Sequence, residues 1–395
     1  MPPAADPLPP EAALLLACAR VRLAPPDAET LRRLAERRPD WERLIGDAAR
    51  HGVLPLVHEH LRGLDAVPAP ARETLHRLAA RIARHNLMLT GVLLDVLDLF
   101  EREGLPAIPY KGPVLAASVY GNVALRPFSD LDVLIHPEDA PRARALLTGH
   151  GFRFVPEASG LDETAAVRKG REYRFERDPG VILEAQWRVV SASDGWRRFS
   201  LAPVWRRLRT TTLARSTTRA LGPEDRLAVL SLHGAHNQWV RLKWIVDVAE
   251  VVRGGTVAWE TLFANAEAWG IRRPVLLGLS LARDLLGAPL PPEVHARLAG
   301  DCALPRLAAM VRRRLFTEPR DPPPELPLFL LRLRESPGDR LRFAARLAFA
   351  PTPQDAARVP APLAFLAPLL RPFRLVALLT RRLRPDADAQ KKNRR

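Results

Sequence analysis

Residues 110–135 read YKGPVLAASVYGNVALRPFSDLDVLI, and the end of this stretch decides the fold. "LDVLIH" is an apolar run of strand length bounded by turn residues, which predicts a buried β-strand. Two carboxylates, Asp130 and Asp132, open it one residue apart. On a strand, residues i and i+2 point to the same side. Both acids therefore face one point, while Leu131 and Val133 turn the other way into a core. Like charges this close repel, and burial sharpens the repulsion. A divalent cation between them relieves it. Mg²⁺, or Mn²⁺ in its place, takes hard oxygen ligands and combines a few carboxylates with substrate phosphates. The pair is thus suited to metal-dependent phosphoryl or nucleotidyl transfer.

The flanks supply the rest of such a site. "LPAIPY" upstream predicts a short strand, and "GPVLAASVY" a helix that stops at Gly121-Asn122. Lys111-Gly112 joins the two. Glycine lets backbone come close to a ligand, and a helix N-terminus offers free N–H groups and a positive dipole end to a phosphate. Lys111 adds a point charge. Arg126 is suited to gripping phosphate oxygens in bidentate fashion, and Ser129 to donating to one. Downstream, "PEDAPRARALLTGHG" predicts a helix from a proline to Gly151. In "REYRFERDPGVILEAQWRVV" two apolar-rich runs flank Asp178-Pro179-Gly180, which predicts a hairpin. Its second strand carries Glu184 among Val181, Ile182, Leu183 and Ala185. A lone acid in such a run is costly unless it meets a charge or a metal, so Glu184 is the candidate third carboxylate. Gln186 shares its face.

The middle of the chain therefore reads helix, strand, helix, strand, helix, hairpin. This predicts an α/β (α+β) core with a small mixed sheet, flanked by N- and C-terminal helical domains. The expected divisions are residues 1–85, 86–195, 196–290 and 291–395. Residues 11–84 read as short helices, "ARETLHRLAARIARHNLMLTGVLLDVLDLFEREG" as a long helix closed by Gly104, and the chain from Trp196 onward as helical. "PEDRLAVLSLHGAHNQWVRLKWIVDVAEVVRGG" is one long helix or two, with Glu224 and Asp225 as cap residues. His233 and His236 lie three apart on it and Asp247 follows, but no further ligand sits at metal-site spacing. With Trp239 and Trp244 nearby, the histidines read as structural or as lining a base pocket. Lys243 on the same stretch is a candidate phosphate contact.

Composition bounds the remaining possibilities. Apolar residues make up 47% of the 395, enough for a folded core. Two cysteines, Cys18 and Cys302, exclude a disulfide framework and a Cys-rich zinc site. A reducing, cytoplasmic location fits, with no signal peptide and no spanning helix. The net charge is +16, yet only five of the 60 basic residues are lysines. The arginine content reads largely as background, which makes Lys111 stand out. Residues 371–395 carry nine basic and two acidic residues. Such a tail can touch nucleic acid or an anionic membrane, and the apolar-basic segment at 361–384 reads as a packed or membrane-surface helix.

The order of these parts resembles the nucleotidyltransferase superfamily typified by DNA polymerase β. More closely, the chain is similar to the bacterial uncharacterised nucleotidyltransferase family. The residues that carry this are "YKGPVL", "VYGNVALRPFSDLDVLI", "LEAQW" and "HGAHNQWVRLKWIVDV", with "DWERLIGDAARHGVLPLV" as opening helices. The resemblance spans roughly residues 30–290. It implies a polymerase-β-like core that moves an NMP from an NTP to an acceptor hydroxyl. It also implies two Mg²⁺ on Asp130 and Asp132, Glu184 as third ligand and base, and a triphosphate beside Lys111 and Gly112. The acceptor stays open among RNA, a protein and a small molecule. Two positions depart from the family pattern: Pro113 removes one phosphate-facing N–H, and Gln186 stands where relatives often carry histidine. They leave room for an alternative, a non-catalytic nucleotide-binding or scaffold protein.

Overall fold

The computed structural model describes residues 8–156, 167, 170–190, 196, 198–316 and 326–349. The basic tail and the 361–384 segment lie outside these residues. The chain divides into two compact units between Pro323 and Pro324. The expected boundary at residue 85 falls inside a continuous helix, and the first three expected regions belong to one unit.

That unit opens with α1 (Pro10–Cys18), α2 (Pro25–Glu36), α3 (Trp41–His51), α4 (Leu54–Leu61) and α5 (Ala69–Arg102). The boundaries follow local chemistry. The Asp40 side chain accepts the Arg43 N–H at 3.0 Å to cap α3. α5 buries Leu75, Ala79, Leu89, Leu93, Val96, Leu99 and Phe100, a stripe at helical spacing. The sheet follows: β1 (Ala107–Pro109), α6 (Gly112–Tyr120), β2 (Leu131–Ile135), α7 (Ala140–Gly149), β3 (Arg153–Val155), β4 (Glu172–Arg177) and β5 (Val181–Gln186). The strand order is β1-β2-β5-β4-β3. β2 and β5 run parallel, and the other neighbours are antiparallel. The sheet is thus small and mixed, as expected, with β3 as an edge strand the sequence reading did not single out.

Alternation sorts its two faces. Leu131, Val133, Ile135, Tyr173, Phe175, Val181, Leu183 and Ala185 join the α5 stripe and the apolar side of α7 in one core. The residues between them, Asp132, Glu172, Glu184 and Gln186, share the opposite face. The core thus forces the acids to one side, because a strand's period of two leaves no third option.

Beyond the sheet lie α8 (Ala202–Trp205), β6 (Arg209–Leu213), β7 (Ser216–Ala220), α9 (Pro223–His236), α10 (Leu242–Arg253), α11 (Trp259–Trp269), α12 (Arg272–Leu286), α13 (Pro292–Ala299) and α14 (Leu304–Leu315). The expectation of an all-helical stretch after Trp196 is corrected here. β6 and β7 pair antiparallel as a separate two-stranded sheet. Their threonine runs supply β-branched stiffness without the apolar alternation that marks a half-buried strand. The long histidine-bearing stretch is two helices. Gln238 and Trp239 break it, both at positive φ (56° and 55°), and the fully buried Trp239 ring lies against Gly234 and Gly278. Glu224 and Asp225 do not cap α9. Asp225 accepts from Arg207 Nε (2.7 Å) and Nη2 (2.5 Å), and Glu224 accepts the Ala258 N–H at 2.8 Å. The second unit contains α15 (Leu326–Leu333) and α16 (Pro337–Phe349), with Phe329 and Leu333 buried.

His51 joins the opening helices to the later bundle. It is fully buried at the end of α3, and its Nδ1 accepts the Leu242 N–H at 3.2 Å where α10 begins. Burial first, and then the nearby Arg50 charge, lower its pKa from 6.5 to about 4. The neutral ring is the one that folds, so the unfolded chain takes up a proton that the folded chain refuses. Its contribution to stability is whole above about 6.5 and is lost as pH falls through about 4. The melting temperature is expected to drop over that window. His51→Asn keeps an acceptor for Leu242 but cannot titrate, so a pH series of thermal melts should show a shallower acid limb for it than for wild type.

Candidate active site

The parallel pairing of β2 with β5 sets Asp132 directly beside Glu184, and the hairpin sets Glu172 of β4 beside Gln186. Asp132 is 5% exposed. Lys111 reaches it from the start of α6, with Nζ 2.8 Å from Oδ1. Burial works against the lysine's charge, but Asp132 outweighs it and holds the Lys111 pKa above its usual value. The Gln186 amide stands between the acids: Nε2 donates to Asp132 Oδ1 (3.0 Å) and to Glu184 Oε2 (2.7 Å). Its own Oε1 accepts the Tyr110 hydroxyl at 2.5 Å.

Glu184 makes no salt bridge among the described residues, although the Lys111 charge lies near enough to offset part of its shift. Burial, then the charges of Glu172, Asp132 and Asp130, raise its pKa from 4.5 to about 7. Glu172 is raised as well, by burial, although Arg171 pairs with it at 2.9 Å. Its Oε2 is buried with no hydrogen-bond partner. Asp130 lies half-buried just before β2. Gly112, at φ 53°, brings the first turn of α6 against it: a Cβ there would lie 3.4 Å from the Asp130 carbonyl oxygen. Glycine accepts both the positive φ and the close approach. Neither Lys111 nor any other side chain caps the α6 N-terminus, and Pro113 sits in its first turn.

The second wall is basic and comes from the bundle. Lys243 on α10 directs Nζ at the Pro127 carbonyl (3.3 Å). Burial, and then the Arg126 charge, lower its pKa from 10.5 to about 8. Arg126 itself is buried against Asp247: Nε to Oδ1 is 2.7 Å and Nη2 to Oδ2 is 2.8 Å. The Tyr120 hydroxyl donates to Asp247 Oδ1 as well, at 2.7 Å. From α5, Asn86 Nδ2 donates to the carbonyls of Val123 (2.6 Å) and Arg126 (2.9 Å). The loop between α6 and β2 is therefore fastened from both sides. His233 packs edge-on against Trp244, centroids 5.4 Å apart. Burial, then the charges of Lys111, Lys243 and Arg126, keep it neutral far below its ordinary pKa.

Of the residues singled out from sequence, the structure gathers Lys111, Gly112, Asp130, Asp132 and Glu184 at one end of the sheet. Lys243 approaches from the bundle. Ser129 is exposed beside Asp130. Arg126 is placed differently from its reading as a phosphate grip, because its bidentate edge is spent on Asp247. Asp247 is correspondingly not grouped with His233 as a metal ligand. Three participants escaped the sequence reading: Glu172, Tyr110 and Asn86. Glu172 had a usable signal, since counting outward from the Asp178-Pro179-Gly180 turn pairs it with Gln186. Tyr110 and Asn86 had none, as their partners lie 76 and 40 residues away.

Among the described residues, no group of three or more His, Cys, Asp or Glu side chains is placed to hold a metal ion by itself. The donors are nonetheless those a hard divalent cation requires. Asp130 and Glu184 make no salt bridge among the described residues, and Glu172 holds a buried oxygen with no hydrogen-bond partner. Such a set suits an ion that draws the remaining ligands from water and phosphate.

The sequence matches the family described as uncharacterised nucleotidyltransferase over residues 37–287, well over half of the chain. No curated protein and no solved structure matches it. The matched span runs from just before α3 to the end of α12, so it includes both the sheet and the α10 wall.

The Arg126–Asp247 pair is the joint on which the site's two walls meet. Asp247→Asn leaves a buried guanidinium without its counter-charge and should cost about 3–5 kcal/mol of unfolding free energy. The double variant Arg126→Met/Asp247→Leu should recover most of that loss. Denaturant titrations of the wild type and the two variants check both expectations.

Proposed function

The chain belongs to the uncharacterised nucleotidyltransferase family and is a nucleotidyltransferase, and on that premise we propose how its own residues carry out the transfer. The reaction is attack of an acceptor hydroxyl on the α-phosphorus of an NTP. The acceptor O–P bond forms, the bond to the bridging oxygen breaks, and pyrophosphate leaves. The observation that carries this reading is the placement of Asp132 beside Glu184 on parallel strands, with Lys111 and the uncapped start of α6 next to them.

Asp130 and Asp132, with Glu184 completing the donor set, are the residues to hold Mg²⁺ or Mn²⁺. When bound, the ion supplies charge neutralisation to the phosphates and to the attacking oxygen. Lys111 and the free amides of α6 orient the phosphate chain. Lys243 faces the same space. Its lowered pKa reflects burial and a neighbouring guanidinium, and an incoming polyanion offsets both. Glu184, with a pKa near 7, is suited to receive the acceptor hydroxyl's proton. Neutral His233 and Trp244 offer a flat, apolar neighbour to a base.

A second reading has its own support. The Gln186 amide satisfies Asp132 and Glu184 without any ion, as a protein that only binds a nucleotide or serves as a scaffold would also allow. Thermal melts with Mg²⁺ and each of the four NTPs separate the two, on wild type and on Asp130→Asn/Asp132→Asn. A nucleotide at about 100 times its dissociation constant should stabilise the wild type by roughly 2.7 kcal/mol. The shift should need Mg²⁺ and vanish in the double variant. Labelled NTP should then yield a labelled acceptor with wild type only. A shift without any labelled product favours the binding protein, and no shift with any NTP in a folded protein overturns the nucleotide site proposed here.

A further inference from the structure

The Gln186 side chain sits between two acids, sharing Asp132 Oδ1 with Lys111, and its hydrogen bonds admit one orientation only. Tyr110 donates its hydroxyl to Oε1, so the carboxamide nitrogen faces the sheet's acids. A carboxamide nitrogen has two hydrogens. One goes to Asp132 and the other to Glu184. Both are therefore spent, and the residue is buried at 1% exposure. Reversing the amide would aim its carbonyl at two carboxylates in a poorly hydrated place, which is costly.

Resting on the metal-dependent reading above, we propose that Gln186 is a positioning residue that acts as a displaceable plug. Its –NH₂ group occupies the gap between Asp132 and Glu184 that a divalent cation takes, and Tyr110 holds it there. In the ion-free protein the amide keeps two neighbouring carboxylates compatible. A cation entering the gap must first break both hydrogen bonds, so the plug weakens ion binding and stabilises the empty site. An entering cation would replace two charge-assisted hydrogen bonds with ionic contacts. No covalent step is involved.

The opposite arrangement is equally definite. A permanent brace would hold Asp132 and Glu184 in the geometry that the ion requires, and removing it would weaken ion binding. The two differ in sign, which makes the test sharp.

The test uses Mn²⁺ alone on the full chain, with the dissociation constant measured by calorimetric titration at pH 8. Wild type, Gln186→Met, Tyr110→Phe and Asp132→Asn are compared, together with melting temperatures in EDTA and in Mn²⁺. Gln186→Met keeps an unbranched side chain of similar length but cannot donate. It is expected to bind Mn²⁺ at least about tenfold more tightly, because neither of the two charge-assisted hydrogen bonds has to be broken first. It should also melt lower than wild type in EDTA and close that gap in Mn²⁺. Tyr110→Phe, which frees the amide to turn and also removes a hydroxyl beside Lys111, should move both quantities in the same direction by less, and it serves if Gln186→Met does not fold. Unchanged or weaker Mn²⁺ binding in these variants, with wild-type binding intact and lost in Asp132→Asn, overturns the plug while leaving the metal site standing. Absence of Mn²⁺ binding in wild type and all variants overturns the metal-dependent reading itself, and the plug with it.

Discussion

Two carboxylates side by side on a largely buried sheet face are the constraint from which the rest of this protein follows. Parallel pairing of β2 and β5 puts Asp132 next to Glu184, and the β4–β5 hairpin adds Glu172 one strand further on. Left alone, that group would repel itself and lose its hydration together. The surrounding structure reads as compensation: Lys111 on Asp132, Arg171 on Glu172, and a glutamine amide shared between Asp132 and Glu184. The compensation is incomplete. Glu184 keeps a raised pKa, and one Glu172 oxygen has no partner. A fold that only needed stability would place apolar residues here. On the function proposed above, this electrostatic cost at the mouth of one strand is the counterpart of a site that uses the acids.

The bundle side adds a further buried cation. Burial, and then the Lys111, Lys243 and Arg126 charges, keep His233 neutral, and burial with the Arg126 charge brings Lys243 down to a pKa of about 8, while Lys111 is paired with Asp132 and Arg126 with Asp247. On the function proposed above, a cation would answer the carboxylates and the nucleotide's phosphates would answer Lys111 and Lys243.

The walls stay in register through buried polar contacts. Asp247 of α10 takes the Arg126 fork and the Tyr120 hydroxyl, Asn86 of α5 takes two loop carbonyls, and His51 of α3 takes the first amide of α10. Each crosses from one part of the first unit to another. Such contacts contribute modestly to net stability when made but cost several kcal/mol when half-broken. They therefore specify the relative placement of sheet and bundle more than they strengthen it. This explains why the family match extends through the bundle as well as the sheet, since neither wall alone forms the gap.

The sequence by itself determined whatever depends on neighbours along the chain. The apolar run after Asp130, the Lys-Gly turn, the hairpin about Asp178-Pro179-Gly180 and the embedded Glu184 are all legible, because strand period and turn chemistry act over a few residues. The same logic put Asp132 and Glu184 on polar faces before any pairing was known. It failed at the β6–β7 hairpin, where threonines form strands without an apolar alternation, and at Glu224 and Asp225, whose partners are Arg207 and the Ala258 amide rather than their own helix. Only the tertiary structure decided that Arg126 would be spent on Asp247, that Gln186 would lie between two acids under the hold of Tyr110, and that Glu172 would join them. Those outcomes depend on which groups meet across dozens of residues once the core has closed. In a buried setting each charge takes the nearest counter-charge the packing offers, and local sequence does not encode which one that is.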